Sequence, residues 1–92
     1  MEKEVLDILL FLKEMEYSIH KEDENVEKII VWVPFGDIDE FVELFPSSNF
    51  DEDGMKVHLK EDCIALDIKE QLEYFLDDEE LGYIIKKLEQ WQ

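Results

Sequence analysis

The stretch Gly54–Ile68, GMKVHLKEDCIALDI, places the tightest constraint on the fold. Met55, Val57 and Leu59 alternate with Lys56, His58 and Lys60. After a polar turn at Glu61-Asp62, Ile64, Leu66 and Ile68 alternate with Ala65 and Asp67. A period of two is what a sheet with one buried face requires. The run reads as a hairpin, with every other segment as its cover or edge.

The flanking segments supply that cover. Val5, Ile8, Leu9 and Leu12 keep helical spacing, and Leu6, Leu10 and Phe11 widen the apolar arc, which predicts a helix over 3–15 buried on more than one side. Tyr17-Ser18-Ile19-His20 reads as a first strand and Lys21–Asn25 as a charged turn without glycine. Glu27–Val33 is a β-branched, aromatic strand with Ile29, Val31 and Val33 on one face and Ile30 and Trp32 on the other, which suggests a central position or a face that a partner covers; Pro34 ends it. Asp37-Ile-Asp-Glu40 has a capping-box pattern for a short helix with Ile38, Phe41, Val42 and Phe45 inward. Asp67-Ile-Lys-Glu70 repeats it for a helix over 68–76, with Ile68, Leu72, Phe75 and Leu76 apolar. A final helix starts beyond Asp77 with Leu81, Ile84, Ile85 and Leu88 in its stripe. Most aromatics read as core; Trp91 is either packed or an exposed anchor. The order α-β-β-α-β-β-α-α describes a single α+β domain over 1–92: a small antiparallel sheet of three to four strands, with N-terminal and C-terminal helices mainly on one face.

Charge limits function more than fold. Twenty-six acidic residues face nine lysines and no arginine, for a net charge of −17 on 92 residues. Solubility asks only about 2–8 charges of a small domain, and the excess repels itself. With 46% hydrophobic and 12% aromatic residues there is still enough apolar material for a core. Direct nucleic-acid binding is disfavoured because phosphate contacts need Lys and Arg, and anionic membranes are disfavoured by the same sign. Met1-Glu-Lys-Glu lacks the basic start of a signal peptide, and Val5–Leu12, interrupted by Asp7, is too short to span a bilayer. The lone Cys63, in an apolar strand, reads as a small buried hydrophobe in a reducing cytoplasm.

Catalytic and metal motifs do not emerge. Asn49-Phe-Asp-Glu-Asp-Gly54 resembles half of a calcium loop, but the bidentate Glu expected at its twelfth position is Lys60; an acidic turn closing at glycine accounts for the same residues. His20, His58 and Cys63 have no metal-ligand spacing. No nucleophile has a recognisable partner, and three glycines cannot build a phosphate loop. The reading is therefore a protein that is not an enzyme and uses no cofactor or metal.

What remains is the acid itself. Besides Glu22-Asp23-Glu24, it clusters at Asp37, Asp39, Glu40 and Glu43, at Asp51, Glu52 and Asp53, and at Asp77, Asp78, Glu79 and Glu80. Carboxylates three and four apart on a helix stand about 5–6 Å from one another at Cβ. That density is comparable to a nucleic-acid strand, with one phosphate per about 3.4 Å of rise. A basic partner that binds phosphates would be drawn to these three clusters, the candidate partner-binding residues.

In size, charge and absence of motifs the chain resembles small acidic proteins of phages and mobile elements that block bacterial nucleic-acid enzymes: DNA-mimic antirestriction proteins, inhibitors of uracil-DNA glycosylase and anti-CRISPR proteins. Leu10–Val33 is similar in plan to one class of anti-CRISPR inhibitor: a helix, a short Tyr-Ser-Ile-His strand, a polar turn, and a strand of the Lys-Ile-Ile-Val-Trp-Val kind. The resemblance implies a non-enzymatic inhibitor in the cytoplasm of a bacterial host, filling the positively charged groove of a defence nuclease. An immunity protein for a basic nuclease toxin is the alternative with the same physics. A protein–protein interaction or regulatory module using apolar contacts through Trp32 or Trp91 is the alternative with different physics. Monomer and homodimer are both compatible with the sequence.

Overall fold

The computed structural model describes residues 3–45 and 62–92, together with the backbone of 58–59. The elements follow the expected order: α1 Lys3–Lys13, β1 Glu16–Glu22, β2 Asn25–Pro34, a 3-10 turn Phe35–Asp37, α2 Ile38–Leu44, β3 His58–Leu59, β4 Cys63–Asp67, α3 Lys69–Phe75 and α4 Asp78–Trp91. The fold is α+β. Its sheet is antiparallel throughout, in the order β1-β2-β4-β3.

That order corrects one expectation. The hairpin formed by β3 and β4 lies at one side of the sheet, and β2 is the strand it is built on, paired along its length with β1 and then with β4. Ten residues rich in Ile and Val, apolar on both faces, suit a strand with neighbours on both sides. The β1–β2 connection tightens to Asp23-Glu24. Asp23 takes the left-handed conformation (φ 56°) usually left to glycine, which a short polar side chain tolerates.

One face of the sheet carries the core. Ile29, Val31 and Val33 of β2 are buried beside Leu66 of β4 and the adjoining Ile68. Over them lie Val5, Ile8, Leu9, Phe11 and Leu12 of α1, Phe41 and Phe45 of the α2 region, Leu72 and Leu76 of the α3 region, and Ile84 and Leu88 of α4. Phe11, Phe41, Phe45 and Phe75 form a continuous run of rings, with successive centroids 6.2, 4.8 and 6.4 Å apart. Such offset or tilted pairs add stabilisation beyond their burial. Among the described residues no charged or polar residue is buried in this core.

Local predictions fared unevenly. α1 stops at Lys13, and its Leu6 and Leu10 are exposed, because the buried arc is narrower than the apolar composition allowed. Val42, Phe35 and Tyr74 are also exposed, and Cys63 is half-buried. Trp91 ends α4 still 39% exposed, with the Lys13 ammonium 5.7 Å from its ring. The Asp37 side chain makes no capping bond to α2. Asp67 does not build a box either; it sits two residues ahead of α3, and its Oδ1 accepts from the Lys69 N–H (3.1 Å) and the Ile29 N–H (3.2 Å). The capping box forms instead at α4, where Asp77 Oδ1 accepts from the Glu80 N–H at 2.8 Å and Glu80 Oε1 from the Asp77 N–H at 3.3 Å.

Candidate functional site

Charge neutralisation decides whether the acid can act on a partner. Among the described residues two lysine–carboxylate ion pairs form, Lys21–Glu89 at 2.8 Å and Lys69–Glu73. Lys13 and Lys87 lie over the rings of Trp91 and Tyr83 instead. The field of most described carboxylates is therefore left unpaired by lysine and faces outward.

The structure distributes the three sequence-predicted clusters differently. Asp51, Glu52 and Asp53 lie outside the described residues. In the Asp77–Glu80 corner the three residues before half-buried Glu80 are exposed, but Asp77 and Glu80 bond each other's backbone to start α4. Carboxylates suit that positive helix end, so their first task there is structural. Asp78 and Glu79 are solvent-exposed in the same turn.

The Asp37 cluster behaves otherwise. Asp37, Glu40 and Glu43 line an open groove of about 920 Å³ between α1 and α2, which Phe75 and Leu76 also line. Asp39 projects elsewhere and is exposed. Across the groove stand Glu4 and Asp7 of α1 and Glu14 just beyond its end, which sequence reasoning did not single out. Ile8, Leu10, Phe11, Met15 and Leu44 supply its apolar surface. No lysine lines it. The Phe11–Phe41 ring contact holds the two helices together beneath it.

The missed α1 residues had a signal. Positions 4, 7 and 14 differ by three and seven, so they share one helix face. What no pattern carried was that this face would meet Asp37, Glu40 and Glu43. That meeting follows from where β1 and β2 return the chain.

No protein-family model matches the chain, and neither a curated protein nor a solved structure is detectably similar to it. Its chemistry must be read from geometry.

Six carboxylates around an apolar surface can attract, orient and hold cationic groups. Among the described residues no set of three His, Cys, Asp or Glu side chains is arranged to hold a metal ion. Nor is any helix there long and apolar enough to cross a membrane. The half-buried Tyr17 phenol, pushed above its ordinary range by desolvation, donates to a backbone carbonyl rather than facing the groove.

Proposed function

We propose that this protein is a non-catalytic acidic inhibitor that occupies the positively charged nucleic-acid groove of a basic protein, a bacterial defence nuclease above all, in the cytoplasm of the host. The observation that carries the reading is the convergence of Asp37, Glu40 and Glu43 with Glu4, Asp7 and Glu14 around one groove that no described lysine lines. A phosphate-binding groove of Lys and Arg is complementary to such a face. Steering by unscreened charge raises association rates by roughly ten- to a thousand-fold. Asp78 and Glu79 add exposed carboxylates at the start of α4.

Capture from a bacterial lysate in low salt, followed by elution with duplex DNA, tests this reading. A nuclease retained by the wild type, released by DNA, and no longer retained by the Asp37→Lys/Glu40→Lys/Glu43→Lys variant is the expected result. Retained proteins that do not bind nucleic acid, or that DNA cannot displace, would refute it.

A further inference from the structure

The groove between α1 and α2 is more than an acidic patch, because its surface between the carboxylates is apolar. Leu10, 64% exposed on α1, stands there with Phe11, Met15 and Leu44. A purely phosphate-like surface needs no such residues, and a leucine left in water costs apolar hydration that burial would recover.

Spacing argues for the shape of the occupant. Asp37, Glu40 and Glu43 are three residues apart along a 3-10 turn and a helix, a rise of about 4.5–6 Å per step. That is close to the 5.4 Å pitch of an α-helix and shorter than the roughly 6.6 Å between same-face residues of a strand. The eleven residues of α1 give the groove a wall about 16 Å long, room for three helical turns. A second copy of this chain is a poor occupant, since it would bring another −17 charges to a face already anionic.

We infer that the groove docks an amphipathic α-helix of the partner, with Lys or Arg about one turn apart on both flanks of an apolar stripe. The stripe covers Leu10, Met15 and Leu44, and the cations reach Glu4, Asp7 and Glu14 on one side and Asp37, Glu40 and Glu43 on the other. This inference rests on the proposed function and names the element of the basic partner that is gripped there.

The test uses three synthetic peptides against the full chain: a helix of about 16 residues with a Leu stripe flanked by Lys, a scrambled peptide of the same composition, and oligolysine of equal charge. Fluorescence anisotropy at about 0.15 M NaCl should show the amphipathic peptide binding at least about tenfold tighter than either control. Leu10→Asp, at an exposed position, should remove most of that advantage while oligolysine binding is kept or tightened by the added carboxylate. Circular dichroism confirms that the variant is folded. Equal binding of the three peptides, or no effect of Leu10→Asp, overturns the inference. So does a concentration-dependent dimer in sedimentation that Leu10→Asp abolishes, which would assign the groove to a second copy. Nuclease capture that DNA reverses, together with failure of the amphipathic peptide, would remove the docking helix and leave the proposed function standing. Peptide binding without any DNA-displaceable nuclease would do the reverse.

Discussion

The phenolic O–H of Tyr17 donates to the main-chain carbonyl of Leu88 at 2.5 Å, joining the first strand to the last helix across 71 positions of sequence. Both ends of this bond sit where β1 and α4 meet, and Lys21–Glu89 lies alongside. Desolvation raises the Tyr17 pKa above its ordinary value of 10.0. The neutral phenol is thus favoured in the folded state, and its contribution is complete below about pH 10 and lost as pH rises through the folded value. We expect Tyr17→Phe to cost about 1 kcal/mol at pH 7. Urea titrations between pH 7 and 11 should show the gap between wild type and variant closing above pH 10. A gap that stays constant would show that the hydroxyl contributes nothing pH-dependent.

Asp37 and Asp77 each occupy the N-cap of a helix, and of the two Asp77 alone caps with its side chain. Asp77→Ala removes the acceptor for the Glu80 N–H and should cost about 1 kcal/mol. For a domain of this size that is a fall of about 4–8 °C in Tm. Asp37→Ala should change Tm by less than about 2 °C, since its carboxylate makes no capping bond to α2. Thermal melts monitored by circular dichroism distinguish the two.

Asp67 Oδ1 serves β2 and α3 together, accepting from the Ile29 and Lys69 N–H groups. Asp67→Ala leaves both donors without this partner and should cost about 2 kcal/mol or more. Asp67→Asn keeps an oxygen in place and should restore at least half of the loss. Chemical denaturation of the three proteins measures this, and equal destabilisation by Ala and Asn would show that charge, not geometry, is what the site uses.

Unpaired surface charge sets a salt response. Raising NaCl from about 0.01 M to about 1 M shortens the screening length from about 30 Å to 3 Å. Because self-repulsion dominates a chain of net charge −17, Tm should rise by at least about 5 °C. A flat or falling Tm in scanning calorimetry would mean that the carboxylates are neutralised in the folded state.

Periodicity carried the reading of the fold because strands and helices write different repeats. The inward alternation of Ile29, Val31 and Val33 and the stripe at Ile84 and Leu88 were legible for that reason. Local patterns failed where two structures compete for the same residues. Asp37-Ile-Asp-Glu40 and Asp77-Asp-Glu-Glu80 both place Glu three residues after Asp, yet only the second closes into a capping box. Leu6 and Leu10 extend the apolar arc of α1, but helix packing leaves them at the surface.

By itself the sequence determined the α+β class, the order of elements and an excess of acid that nine lysines cannot balance. Those are properties of local repeat and of counting, and neither depends on where the chain turns back. Apolar residues on both faces of β2 left a central strand and a partner-covered face both open, and tertiary structure decided for the central strand, flanked by β1 and β4. It also decided that Glu4, Asp7 and Glu14 would share a groove with Asp37, Glu40 and Glu43. That choice belongs to packing: Phe11 and Phe41 meet across two strands and a 3-10 turn of intervening chain, and no local repeat records which helix faces a long-range contact will bring side by side.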